Sequence, residues 1–206
     1  AYDCFDLAIK MAQKNLGTYD LSKYNLSLYV TSEPCMMCIG GIMWSGIKAV
    51  YYGVPSKRVE EITDKISEML EELYKNVKMG SDSIIKLMDK VSGEDFKAAL
   101  TKQIDGYEKV AERIRKHLTS MGYTAKEENV MVKLWSSVGM AMNTMMDSTD
   151  SHLAQLVAEG SHMGITDSIK LLRDYENTNV SEEALGFARE VIKLEEHNLE
   201  VAKSFI

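Results

Sequence analysis

The sequence predicts a mainly α-helical protein, in which a partial α/β element is followed by an antiparallel four-helix bundle. Three observations lead to this class. Both prolines, Pro34 and Pro55, and all three cysteines fall within the first 55 residues, and no proline follows. Proline lacks an amide donor and its ring clashes inside a helix, so a long proline-free stretch favours long helices. The opening region switches between helical and strand spacing, whereas the later region keeps helical spacing throughout. The predicted division is the partial α/β element over residues 1–60 and the bundle over residues 64–206.

In the opening region, Ala8, Ile9, Met11, Ala12 and Leu16 suit a helix with one buried face, and Gly17 suits its stop. Leu26, Leu28 and Val30 alternate with polar or interfacial residues up to Thr31, which predicts a half-buried strand. A helix is expected from Cys35, just after Pro34, to about Ser45, and Ala49 to Gly53 form a second short strand. Helix–strand–helix–strand order implies a crossover and parallel pairing of the two strands.

In the later region, Ile66, Met69, Leu70, Leu73 and Val77 recur at helical spacing, continued by Ile84, Ile85, Leu87 and Met88. Ser92 before Glu94 and Asp95 is a start signal, and Gly122 a stop. Thr124 with Glu127 has the pattern of a capping box opening a third helix, which Gly160 and Gly164 are expected to interrupt. Ser181, Glu182 and Glu183 open a last helix that runs nearly to Ile206. Four such helices with short connections specify an antiparallel bundle, a surface through which a homo-oligomer can form.

Composition narrows the function classes. An apolar fraction of 45% over 206 residues supports a packed core. A net charge of −7, from 24 Lys and Arg against 31 Asp and Glu, argues against a broad nucleic-acid surface. No apolar run approaches the ~18 residues that a membrane span needs, and no signal peptide opens the chain. Three cysteines, two at ligand spacing, fit metal chemistry in a reducing, cytoplasmic setting better than a disulfide framework. The chain opens at Ala1 in mid-pattern, which reads as a processed, truncated or excised piece.

The motif that carries chemistry is Pro34-Cys35-Met36-Met37-Cys38. At the mouth of a helix this spacing places two thiolates where a single Zn²⁺ can bind both. Zinc enzymes that deaminate bases pair such an element with an upstream His-x-Glu, which supplies a third ligand and a proton shuttle. No histidine occurs in the first 116 positions.

Residues 14–53 include Asn15-Leu16-Gly17-Thr18, then Leu28-Tyr-Val-Thr-Ser-Glu-Pro-Cys-Met-Met-Cys38, and end on Ala49-Val-Tyr-Tyr-Gly53. In these motifs the segment resembles the cytidine deaminase superfamily. The closest likeness is to guanine deaminases and tRNA adenosine deaminases, over a fifth to a quarter of the chain. The resemblance implies zinc as cofactor, Cys35 and Cys38 as its thiolate ligands, Glu33 as part of the motif's lead-in, and a nucleobase or nucleoside as substrate. The family's spacing puts its histidine's position at Asp3 and its glutamate's at Phe5. Aspartate can ligate zinc, but phenylalanine moves no proton. Shifting by one residue gives Cys4-Phe5-Asp6, with Cys4 as third ligand and Asp6 as catalytic base. The shift rotates the downstream helix by about 100°, and the Ala8, Ile9 and Ala12 pattern supports the unshifted frame. The helix and two strands that open the family's fold, and carry part of its base pocket, are not found in this chain.

The bundle resembles ferritin-like architecture. Di-iron bundles need two Glu-x-x-His pairs. Only Glu159 and His162 have that spacing, because Ile114, Thr149 and Leu194 precede the other histidines. The cluster Met131, Met140, Met142, Met145 and Met146 reads as core filler or as a pliable partner-binding surface, and Asp105 to Glu108 as a kinked polar face. The expected function is therefore a zinc-dependent base or nucleoside deaminase element, truncated or degenerate and inactive as this chain, joined to a helical bundle. The alternatives are a non-catalytic bundle protein that oligomerises or binds a partner, and a ferritin-like metal protein.

Overall fold

In a computed structural model of the chain, the structure describes residues 4–125 and 149–206. It divides into two compact units, residues 1–62 and residues 63–206.

In the first unit, α1 (Cys4–Leu16) leads to β1 (Ser27–Ser32), α2 (Met36–Ser45) and β2 (Ala49–Val54). The strands pair in parallel, Leu28 opposite Val50 and Val30 opposite Tyr52. Leu28 and Val30 are half-buried while Ser27, Tyr29 and Thr31 face solvent, as the alternation predicts. Helix α2 ends at Gly46, whose φ of 79° is left-handed and whose backbone touches Ser22, so that an added Cβ would lie 2.6 Å from the Ser22 nitrogen. The core here is small. Of the residues expected on the buried face of α1, Ile9 is buried, but Met11 and Leu16 are exposed because few side chains pack over the helix. Met36, Met37, Met43 and Trp44 of α2 are also exposed, Trp44 to 92%.

The second unit takes in most of α3 (Ser56–Met88), then α4 (Glu94–Ser120), α5 (Asp150–Glu176) and α6 (Glu182–Lys203). Helix α3 starts directly after Pro55, earlier than its apolar spacing suggests, because the Ser56 amide donates to the Glu33 carboxylate at 2.8 Å. It buries Ile66, Met69, Leu70, Leu73, Val77, Ile84 and Leu87 on one stripe, while Ile85 lies off the stripe and is exposed. Helices α3 and α4 run antiparallel, with Asp64 bonded to Tyr123 and Lys78 to Glu108. Helices α5 and α6 also run antiparallel across a five-residue link, with Ser151 near one end bonded to the Ile206 carbonyl. Helices α4 and α5 start side by side: the Asp150 carboxylate accepts from the Ser92 amide at 2.9 Å and the Gly93 amide at 2.6 Å.

Two local expectations give way to packing. Helix α5 passes through Gly160 and Gly164 without a break. A glycine costs a helix only about 1 kcal/mol, which burial along Leu153, Val157 and Leu171 outweighs. The stretch Asp105 to Glu108 is not simply a polar face. Tyr107 is 2% exposed at the bundle centre, and its ring fills the space that the absent side chain of Gly80 leaves on α3. The capping pattern at Thr124 and Glu127 runs into residues outside those described, as does the methionine cluster.

Candidate metal centre

Strand β1 delivers the chain through Glu33 and buried Pro34 to Cys35, the residue that caps the start of α2. Cys35 has extended backbone, φ −68° and ψ 168°, and its carbonyl accepts the first helical bond from the Ile39 amide at 2.9 Å. Cys38 lies three residues on, so both side chains leave the same face of the helix. Their Sγ atoms are 3.3 Å apart, with Cys35 exposed and Cys38 half-buried. The open amides at a helix start favour negative charge, which promotes the thiolate.

Two thiolates bound to one tetrahedral zinc through bonds of about 2.3 Å sit about 3.8 Å apart. The observed separation needs only a small side-chain rotation to match, so the pair fits half of a zinc coordination shell. Among the described residues no cluster of three His, Cys, Asp or Glu completes it.

The remaining sequence-predicted residues lie toward the chain start. Cys4, Phe5 and Asp6 form the first turn of α1, which packs against α2. Asp3 lies outside the described residues, and so do the side chains of Cys4, Phe5 and Asp6. Glu33 has a role that its place in the motif did not reveal. Its amide donates to the Val54 carbonyl at 2.9 Å while its carboxylate caps α3, so the lead-in to the cysteines is fastened to the end of β2 and the start of α3.

Residues 6–88 match the family model of the MafB19-like deaminases. This segment belongs to the deaminase superfamily. The deaminase match starts at Asp6, after both third-ligand candidates, and ends at Met88, the last residue of α3. Similar proteins include a probable cytosine deaminase of Schizosaccharomyces pombe, 41% identical over 49 residues that make up 24% of this chain and 29% of that protein. The guanine deaminase of Bacillus subtilis is 49% identical over 45 residues, 22% of this chain and 28% of its own length. A tRNA-specific adenosine deaminase of Buchnera aphidicola is 40% identical over 55 residues, 27% of this chain and 35% of its own. The chain therefore spans about a third or less of the curated deaminases it matches. No solved structure gives a significant match.

Outside the deaminase element, the one Glu-x-x-His spacing does not face the bundle interior. Glu159 and His162 are both exposed on α5. No described helix is long and apolar enough to cross a membrane.

Proposed function

We propose that the deaminase element is a zinc site of the base-deaminating type built on Cys35 and Cys38, for which Asp3 and Cys4 are the candidate third ligands. The observation that carries this reading is the 3.3 Å pair of sulfurs on the first turn of α2, directly after β1. Zinc, when bound, supplies Lewis-acid activation of a water. The thiolates hold the ion, and the Glu33 bonds to β2 and α3 fix the loop that presents them. In the shifted frame Asp6 takes the proton from the attacking water and returns one to the leaving ammonia. In the unshifted frame Phe5 stands in that place and the element turns over no base. We favour the unshifted frame, with a nucleobase or nucleoside as the class of ligand and the cytoplasm as the location.

For the second unit we infer a ferritin-like bundle acting in self-association or partner binding. The pairing of α3 with α4 and of α5 with α6, with α4 and α5 starting side by side at Asp150, supports this reading. Helices α4 and α5 thus run in the same direction, as the second and third helices of ferritin-like folds do.

The test is elemental analysis together with an ammonia-release assay on guanine, cytidine and adenosine with zinc supplied. The expected result is weak, chelator-labile zinc and no ammonia, because the thiolate pair alone leaves half of the tetrahedron to exchangeable water; a stable single zinc that survives chelator would instead establish Asp3 or Cys4 as a third ligand. Turnover abolished by Asp6→Asn and by Cys4→Ser would establish the shifted frame and a working enzyme.

A further inference from the structure

The interior of the bundle holds an acid that no deaminase chemistry uses. Glu195 on α6 is 4% exposed. Its Oε2 accepts from the Tyr107 hydroxyl of α4 at 2.7 Å. Ser161, buried on α5, is its second hydrogen-bonding neighbour.

The backbone makes room for this group. A Cβ at Gly164 of α5 would lie 2.6 Å from Glu195 Oε1, and one at Gly80 of α3 would lie 2.8 Å from the Tyr107 ring. Another at Gly106 of α4 would meet Leu194 at 2.9 Å. Three helices thus each place a glycine against the polar pair or the residue beside it, so the pocket is shaped to hold it. One helical turn from the pair, Gln103 donates its amide to the Asn198 carbonyl at 3.2 Å, the Asn198 side chain also reaches the Tyr107 hydroxyl, and buried Gln103 Oε1 has no hydrogen-bond partner among the described residues.

No described cation faces the carboxyl. From α4 the titratable group is Tyr107, and from α5 the facing residues are the uncharged Ser161 and Gly164. Helix α3 approaches through Gly80, and its Lys78 and Ser81 are engaged by Glu108 instead. On α6 itself His197 is exposed and Asn198 is neutral.

We propose that the Glu195 carboxyl, set between Tyr107 and Ser161, is a proton-controlled switch of the helical unit: neutral, it closes α4, α5 and α6 on one another, and ionised, it loosens them. The physical reason is that a buried carboxylate without a counter-ion must draw in water. The Gln103 amide oxygen, one turn away and without a partner among the described residues, is a ready acceptor for that water. Ser161 can donate or accept, so it serves the carboxyl in both states.

Burial pushes the Glu195 carboxyl up to about 7 against bonds from Tyr107 and Ser161 that pull it down. A carboxyl raised in the folded state favours folding fully below its unfolded value of 4.5, and that contribution is lost as pH rises to about 7. Over that window the unfolding equilibrium constant should rise by roughly two to three hundredfold from this one group.

The experiment compares thermal melts of the full chain and of Glu195→Gln from mildly acidic to mildly alkaline pH, together with a carbon NMR titration of the Glu195 carboxyl in the unchanged protein. The expected result is a midpoint near neutrality and a melting temperature that falls toward it, with the fall much reduced in Glu195→Gln. Tyr107→Phe should move the NMR midpoint upward, because it removes a donor to the charged form. Parallel melting profiles for the two proteins, or a Glu195 midpoint in the ordinary carboxylate range, would overturn the proposal, and the NMR reading stands even if a variant fails to fold.

Discussion

Glycines 160 and 164 lie one turn apart on the same helix, yet alanine should act on them with opposite sign. In a helix interior, alanine is favoured over glycine by about 0.5–1 kcal/mol through lower backbone entropy in the unfolded chain. At Gly160 nothing among the described residues lies within 4 Å of an added Cβ, so Gly160→Ala should show that gain undiminished. At Gly164 the same atom would lie 2.6 Å from Oε1, 2.8 Å from Cδ and 3.2 Å from Cγ of Glu195. The carboxyl cannot swing aside without breaking its 2.7 Å bond from Tyr107. Overpacking of this kind costs about 1–3 kcal/mol. Subtracting the helical gain leaves Gly164→Ala destabilised by about 1 kcal/mol, so the two variants differ by about 2 kcal/mol. In a chain of this length each kcal/mol moves the melting temperature by about 2–4 °C, which separates the variants by several degrees. Helical circular dichroism melts at one fixed pH read this directly. Placing Gly164→Ala in a Glu195→Ala background removes the clashing atoms and should restore the stabilising sign, a coupling that a double-mutant cycle measures. Shifts of the same sign at both glycines would refute the packing argument.

Other outcomes follow from the same structure. Asp150→Ala removes the acceptor of two amides at the start of α4 and should cost about 1–2 kcal/mol, seen as a lower denaturant midpoint with unchanged slope. Residues 64–206 alone should fold cooperatively with strong helical dichroism, whereas residues 1–60 alone should not, since two paired strands with a small core cannot stand by themselves. Cys38→Ser should abolish the weak zinc uptake expected of the intact thiolate pair, measured by competition with a chromogenic chelator.

The features legible in the sequence were those written in local spacing. Gly17 stops α1 with a φ of 67°, and the Ser181 hydroxyl accepts from the Ala184 amide at 3.2 Å to start α6. The alternation around Leu28 and Val30 placed β1, and the three-residue interval between Cys35 and Cys38 placed both sulfurs on one turn. Distant caps were not legible. Helix α3 starts at Ser56 because of Glu33, 23 residues earlier, and the amides before α4 are met by Asp150, about 58 residues later. Glycine rules misjudged α5 because they count propensity and not burial. The acid at the bundle centre was hidden for the same reason, since Tyr107 and Glu195 are 88 residues apart and neither sits in a recognisable motif. For the deaminase element, a ligand carried on another helix is set by how the helices pack, so the choice between Asp3 and Cys4 has no local signature.

The sequence separation of these contacts also orders the folding of the bundle. The α5–α6 hairpin closes over a five-residue link, and such local closures occur early and fast. Contacts between α4 and α6 join residues 66 to 95 positions apart, among them His117 with Glu183 and Gln103 with Asn198, so their docking comes late. Apolar ridges alone tolerate a slip of one turn, because leucine and valine fit many neighbours. A phenol and a carboxyl that bury each other do not, since a slipped register leaves both unsatisfied. The Tyr107–Glu195 pair thus selects one alignment at the slow step, and replacing both by Phe and Leu should give a bundle no less stable but less uniquely docked, visible as multiplied methyl resonances.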